Sequence, residues 1–353
     1  MSNAYKSVQW NAHKRVYDLV VVASIVLFNV TFIAITQATH PSPNDLAPPP
    51  VLMIRATATC AFFMLHVILA IGPLARLSPR FAPLLYNRRH LGVAMFAVAF
   101  VHGLVATLFY QGMGDGNPIL GIFASNTRYD SLAQFPFQTL GFASLLILFL
   151  MAATSHDYWL KNLGPSFWKT LHTLVYVAYG LLVMHVTLGV LQNEKSPIYV
   201  ALTGIGIVTL GGLHLAAGFR EARFEANGHE PAGWIRVGDI DDIPPNRGLV
   251  VPCKGEQRVA VFRHGNKVSA ISNVCAHQGG PLGEGKIVDD CLTCPWHGYQ
   301  YVLENGQSPP PFTEKVPTYR VKLEGRDILL DPEPLAPGTP VEPALIEQEL
   351  THD

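Results

Sequence analysis

Six stretches of mostly apolar residues, at approximately 16–37, 51–75, 91–110, 136–154, 170–191 and 197–219, dictate what this 353-residue chain can become. Hydrocarbon offers no partner to a backbone amide or carbonyl, so a crossing segment must satisfy its own polar groups. At about 1.5 Å per residue, an α-helix of about 20 residues does so across a core of roughly 30 Å. The intervening segments are short and rich in Pro, Gly or charge, such as HPSPNDLAPPP at 40–50 and QNEKSP at 192–197. The first stretch reads as a retained anchor rather than a cleaved leader, because its apolar run is long and the count of helices is then even.

Charge divides the chain in two. Charged residues make up only 14% of the whole, against roughly 25% in soluble proteins. Residues 1–219 hold 12 of the 25 Lys and Arg and 6 of the 26 Asp and Glu; the remainder fall in 220–353. A membrane domain is therefore followed by an ordinary soluble one, and neither has the basic balance of a nucleic-acid binder. Positive loops stay cytoplasmic. Eleven Lys and Arg, from Lys6 to Arg223, collect on one side, against Arg55, Arg128 and Lys195 on the other. The expected topology is six spans in a plasma membrane (the inner membrane of a bacterium), with residues 1–15 and the C-terminal domain both cytoplasmic. Five cysteines are too few for a disulfide scaffold in a chain this long and point first to metal binding.

Histidine is costly in hydrocarbon and marks an intramembrane site by default. His66 lies in the second stretch, His102 in the third, His172 and His185 in the fifth, and His214 in the sixth, with His90 at the third stretch's cytoplasmic entry. Helical rise puts His102 roughly 20 Å beyond Arg89 and His185 roughly 24 Å beyond Lys169, so their depths match. His172 and His90 define a shallower level, roughly 4 and 2 Å in, and His66 falls between the two. Facing imidazoles in a helix bundle can supply both axial ligands of a haem. No CxxCH occurs, which argues against covalently attached c-type haem.

The segments RRHLGVAMFAVAFVHGLVATLFY (88–110) and WKTLHTLVYVAYGLLVMHV (168–186) resemble the ferric-reductase-like transmembrane domain. Ferric reductases, NADPH oxidases and the haem subunit of periplasmic methionine-sulfoxide reductase share that domain. The resemblance implies haem b, one or two, held by histidines of the third and fifth helices: His102, His185 and His172. A fourth ligand would be His90 or His66. His90 stands only 12 residues from His102 and beside Arg88 and Arg89, so it also reads as an interfacial polar residue. His66 reads equally as ligand or as packed core, and His214 as a hydrogen-bonded bundle residue.

After a linker over 220–231 the chain becomes strand-like. Segments such as GWIRVGDI, RVAVFRHGNKVSAISNV and YRVKLEGRDILL alternate between turns of Gly, Pro and Asn, which predicts a small all-β domain over about 232–331. The Pro- and acid-rich remainder, 332–353, is expected to fray as a flexible tail. Within the β domain stand CAHQGG at 275–280 and CPWHGY at 294–299. Two thiolates on one iron and two neutral imidazoles on the other are what one type of [2Fe–2S] cluster requires. That assigns Cys275 and Cys294 as sulfur ligands, and His277 and His297 as nitrogen ligands. A Cys2His2 zinc site uses the same set. Its knuckles usually pair ligands of one kind, whereas each loop here begins with Cys and ends with His.

From Trp234 to Leu330 the chain resembles a Rieske ferredoxin domain, so the whole reads as a six-helix transmembrane α bundle followed by a small all-β Rieske domain. Quinol-oxidising relatives carry a disulfide between the two loops; the matching positions here are Gly280 and Trp296. Tyr299 stands where a hydroxyl donor Ser often sits. Fewer hydrogen bonds to the cluster predict a potential toward the low end of the roughly −150 to +300 mV range. Cys291, Cys253 and Cys60 read as small buried residues.

A self-contained Rieske oxygenase needs a further mononuclear iron site with two histidines, and only His352 follows His297. GMGDG at 112–116 has no strand before it and reads as a turn rather than a dinucleotide loop. The expected role is one-electron transfer across the membrane, from a cytoplasmic donor of ferredoxin or flavin reductase type to an external acceptor, a periplasmic redox protein or a quinone, with lipid as the surrounding partner. Reverse flow fits the same residues. Other readings are an electron-carrier subunit serving a separate oxidoreductase, and a redox sensor; whether the chain is itself an enzyme stays open.

Overall fold

The computed structural model describes residues 12–39, 47–114, 116–155, 159, 163, 165–193, 197–226, 233–253, 258–277, 279–296 and 298–346. The chain forms two compact units, one of 10–72 with 87–213, the other of 73–86 with 214–353.

The first unit is helical. Its elements are α1 (Ala12–Thr39), most of α2 (Pro49–Leu77), α3 (Arg88–Gln111), α4 (Pro118–Ala124), α5 (Phe137–Ala153), α6 (Pro165–Thr173), α7 (Val175–Leu188), α8 (Val190–Asn193) and the start of α9 (Pro197–Ala226). Among the described residues, five segments are long and apolar enough to cross a membrane, at Arg15–Thr39, Pro49–Leu77, Arg88–Gln111, Thr170–Gln192 and Tyr199–Phe224; α5 is apolar but only 17 residues long. Five long helices plus one short one thus stand where six crossings were expected, and the chain is an integral membrane protein. Leu65, Leu69, Met95, Leu148, Val175 and Ala178 pack into one core. Ser144 of α5 is buried and donates to the Ala178 carbonyl of α7 at 3.0 Å, a small polar residue that lets two helices approach closely. Apolar side chains such as Leu19, Leu27, Leu104, Val200 and Val208 remain exposed on the outer faces, as lipid contact requires. The fifth stretch is not one helix: α6, α7 and α8 are interrupted at Leu174 and at Gly189, whose N–H returns to the His185 carbonyl at 3.0 Å.

The second unit contains the end of α9 and the β domain. α9 continues to Ala226 through residues expected to begin a linker. Three antiparallel sheets follow. β1 (Ile235–Asp239), β10 (Asp327–Leu330) and β9 (Val321–Glu324) form one; β11 (Ala344–Leu345), β4 (Lys267–Ser272), β3 (Arg258–His264) and β2 (Arg247–Pro252) form the second, with β8 (Thr318–Tyr319) beside β4. The third is β5 (Lys286–Val288), β6 (Cys291–Thr293) and β7 (Gln300–Val302). Alternation sets the register: on β3, Val259 and Val261 face one core and Ala260 and Phe262 the other. The expectation of a frayed tail from 332 is corrected. Ala344 pairs with Val268 and Ile346 N–H reaches Asn266, so the segment is bound along β4 at the start of the edge that β8 also occupies; residues 347–353 lie outside the described residues.

Candidate haem and iron–sulfur sites

His102 on α3 and His185 on α7 come together, their ring centroids 6.4 Å apart and their planes at 77°. Each ring is held at Nδ1 by a carbonyl of another helix: His102 by Ile54 at 3.1 Å, His185 by Phe137 at 2.8 Å. A carbonyl only accepts, so Nδ1 carries the proton and Nε2 keeps its lone pair, the tautomer a metal needs. An iron held between two imidazoles at about 2.0 Å per bond places their centroids roughly 6.3 Å apart. The pair fits that spacing. The cradle around it is close: a Cβ on Gly141 would stand 2.7 Å from the His185 ring.

The other membrane histidines differ. His172 on α6 gives Nδ1 to the Trp168 carbonyl at 3.0 Å and its ring also interacts with the Met151 carbonyl, while Nε2 is buried with no partner of good hydrogen-bond geometry among the described residues. A buried lone pair without a donor is costly unless something fills it. His90 pairs through Nδ1 with Asp18 at 2.9 Å. His66 has both nitrogens engaged, Nδ1 with the Phe62 carbonyl at 2.8 Å and Nε2 with the Tyr179 hydroxyl at 3.0 Å, and a Cβ on Gly206 would stand 2.8 Å from that Nε2.

In the β domain, the β4–β5 and β6–β7 connections carry the two Cys–His loops, and they close in the same way. Cys275 N–H reaches the Gly280 carbonyl at 2.9 Å and Gly279 N–H the Cys275 carbonyl at 2.7 Å. Cys294 N–H reaches the Tyr299 carbonyl at 2.7 Å and Gly298 N–H the Cys294 carbonyl at 2.9 Å. Gly279 and Gly298 both adopt φ near +70°, a conformation that side chains resist. Cys275 and Cys294 are buried in one core with Leu282, Leu292 and Tyr301. His277 lies in the first loop, stacked on Tyr299; His297 lies outside the described residues. None of the five cysteines is in a disulfide. Gly280 and Trp296, at the positions where relatives place a disulfide, pack directly: a Cβ on Gly280 would stand 2.8 Å from Cys294 Sγ and 3.2 Å from the Trp296 ring. The donor set of soft thiolate and imidazole, on two matched loops, fits a [2Fe–2S] cluster.

Two tyrosines flank the cluster loops, and only one was singled out by sequence. The Tyr301 hydroxyl lies 3.2 Å from Cys275 Sγ; burial, then the nearby thiol, pushes its acidity well below that of an ordinary phenol. Its signal in the sequence was position alone, two residues beyond Tyr299. Tyr299, expected near a cluster donor position, instead turns its hydroxyl to Glu314. Burial opposes charge on Glu314, yet the hydrogen bonds from Tyr299 and from the Thr313 N–H hold its carboxyl below the usual range.

Comparison with known proteins bears on both units. Residues 55–183 match the family described as ferric reductase like transmembrane component, and residues 233–320 match the Rieske [2Fe–2S] domain. The haem-binding subunit MsrQ of protein-methionine-sulfoxide reductase from Ralstonia nicotianae is 32% identical over 39% of this chain and 59% of its own length. The ferredoxin subunit of biphenyl dioxygenase from a Pseudomonas species is 34% identical over 28% of this chain and 91% of its own. Cholesterol 7-desaturase nvd 1 from Ciona intestinalis is 38% identical over 25% of this chain but 19% of its own length, so the chain spans only about a fifth of that relative. Haem b and a [2Fe–2S] cluster are the cofactors these two matches imply. The chain belongs to the Rieske [2Fe–2S] domain family, and carries that domain behind a ferric-reductase-like transmembrane component.

Proposed function

We propose that the chain moves single electrons across a membrane, between a cytoplasmic donor of ferredoxin or flavin reductase type and an external acceptor, either a periplasmic redox protein or a quinone. The observation that carries this reading is the His102–His185 pair, 6.4 Å apart in the helical unit, in the same chain as the paired Cys–His loops. The cluster and haem b supply reversible one-electron chemistry when bound. The chain's residues do the rest. Ile54 and Phe137 orient the two imidazoles, the apolar helix faces exclude water, and Cys275, His277, Cys294 and His297 hold the cluster. The Lys and Arg distribution supports a bacterial inner-membrane topology with residues 1–15 and the domain at 232–331 both cytoplasmic.

His172, whose buried Nε2 lacks a partner of good hydrogen-bond geometry among the described residues, is assigned to a second, inner haem. His90 is the candidate opposite it, because a carboxylate on Nδ1 orients a ligating imidazole in many metal sites. The hydrogen bond between His66 and Tyr179 favours a structural role for His66.

The test is composition. Purified protein is expected to show a reduced-minus-oxidised haem b spectrum, two non-haem irons per chain and one or two haems; zinc in place of the non-haem iron would overturn the cluster assignment. A second reading, an electron-carrier subunit without chemistry of its own, is favoured by the match to a haem-binding subunit. Unaided reduction of ferric chelates by the reconstituted chain supports an enzyme; inactivity with every small acceptor, together with co-purification of a periplasmic oxidoreductase, supports the carrier.

A further inference from the structure

Tyr299 is almost fully buried, with 4% of its surface exposed. Its ring lies parallel to His277, centroids 4.6 Å apart at 6°, and Phe312 makes an edge contact with it, centroids 4.9 Å apart at 61°. So packed, its hydroxyl donates to the carboxylate of Glu314, which also accepts the Thr313 N–H at 3.0 Å, and Ser308 also hydrogen-bonds the hydroxyl. Both of these partners of Glu314 are neutral, so its charge is held in place rather than cancelled. The hydroxyl dipole aligns with that charge and turns its negative end toward the ring stacked on His277.

We propose that Glu314 is a positioning residue for the redox site, a fixed anion that lowers the reduction potential of the cluster through Tyr299 and His277. The proposal rests on the reading of His277 as a cluster ligand. Reduction adds one electron and makes or breaks no bond, so the reduced site carries one more negative charge, and an anion behind the ligand opposes it. One unit charge acting across about 10 Å at an effective dielectric near 20 changes such an equilibrium by about tenfold. The direction agrees with the low potential expected of these loops, and adds a cause independent of the number of hydrogen bonds reaching the cluster.

The test is a redox titration of the full-length protein at fixed pH, following the electron paramagnetic resonance signal of the reduced cluster. Glu314→Gln keeps the acceptor and removes the charge; it is expected to favour reduction about tenfold, or about 59 mV for a one-electron couple, with the haem midpoints unmoved. Glu314→Asp, which retains the charge, and Tyr299→Phe, which retains the stack and the carboxylate, are expected to stay closer to the unsubstituted protein. An unchanged midpoint in Glu314→Gln, an equal shift in Glu314→Asp, or loss of the cluster signal in Glu314→Gln would overturn the proposal. Absence of the signal in the unsubstituted chain would instead overturn the iron–sulfur reading beneath it.

Discussion

The imidazoles of His102 and His185 stand 6.4 Å apart, each locked by its Nδ1 to a carbonyl of a neighbouring helix. The chain has prepared both rings in the metal-binding tautomer, on helices whose packing fixes their separation. His102→Ala and His185→Ala should each remove the haem of that site, read as loss of its share of the pyridine haemochrome absorbance. Gly141→Leu should do the same with both ligands still in the sequence, because even a Cβ at Gly141 meets the His185 ring at 2.7 Å.

His172 and His66 should separate cleanly. His172→Ala is expected to remove an inner haem and leave the His102–His185 absorbance in place. His66→Leu is expected to leave haem content unchanged and to lower thermal stability by about 1–3 kcal/mol, because it strands the Tyr179 hydroxyl. Haem loss in His66→Leu would make that residue a ligand.

At the cluster, Cys275→Ser should abolish the iron–sulfur signal and leave haem intact. Gly280→Val should also prevent cluster assembly, since its side chain would enter the space between Cys294 Sγ and the Trp296 ring. Tyr301→Phe removes the hydroxyl at 3.2 Å from Cys275 Sγ. It should disfavour reduction by about 1 kcal/mol, the typical net worth of a hydrogen bond, seen as a lower midpoint in the same titration.

Much of this was legible in the sequence. Apolar length located the five long helices and the shorter α5, because a bilayer tolerates few alternatives, and helical rise alone put His102 and His185 at one depth. The Cys–His spacing located both cluster loops. What stayed hidden depends on tertiary contacts. Nothing local to His66 announces Tyr179, 113 residues away. The breaks at Leu174 and Gly189 fall inside a uniformly apolar run. The tail's Pro and acidic composition resembles a disordered end, yet its Ala344–Leu345 segment pairs with β4. The Tyr299 hydroxyl occupies a position that suggests a cluster donor, and only packing against Phe312 and Glu314 shows where it points.

Glu284 gives the β domain a pH signature. Burial raises its pKa, Arg76 and Arg258 pull it down, Glu221 pushes it up, and the net direction is upward. A carboxyl raised in the folded state binds its proton there more tightly than in the unfolded chain, so its favourable contribution is complete at low pH and is lost as pH rises through the raised value. Glu284→Gln should therefore stabilise the domain at pH 7 to 8, with the difference from the unsubstituted protein vanishing below the ordinary glutamate range. Thermal melts followed by the cluster's visible absorbance measure this; a destabilised Gln variant at pH 8 would contradict it.

The central claim is that the iron–sulfur and haem centres of this chain exchange electrons. Rapid mixing tests it most directly: the cluster of the purified protein is reduced chemically and absorbance is followed at the cluster and haem wavelengths. Reduction of the haem is expected in step with reoxidation of the cluster, with that phase lost in His172→Ala or in His102→Ala with His185→Ala. A cluster that stays reduced beside fully oxidised haem would contradict it.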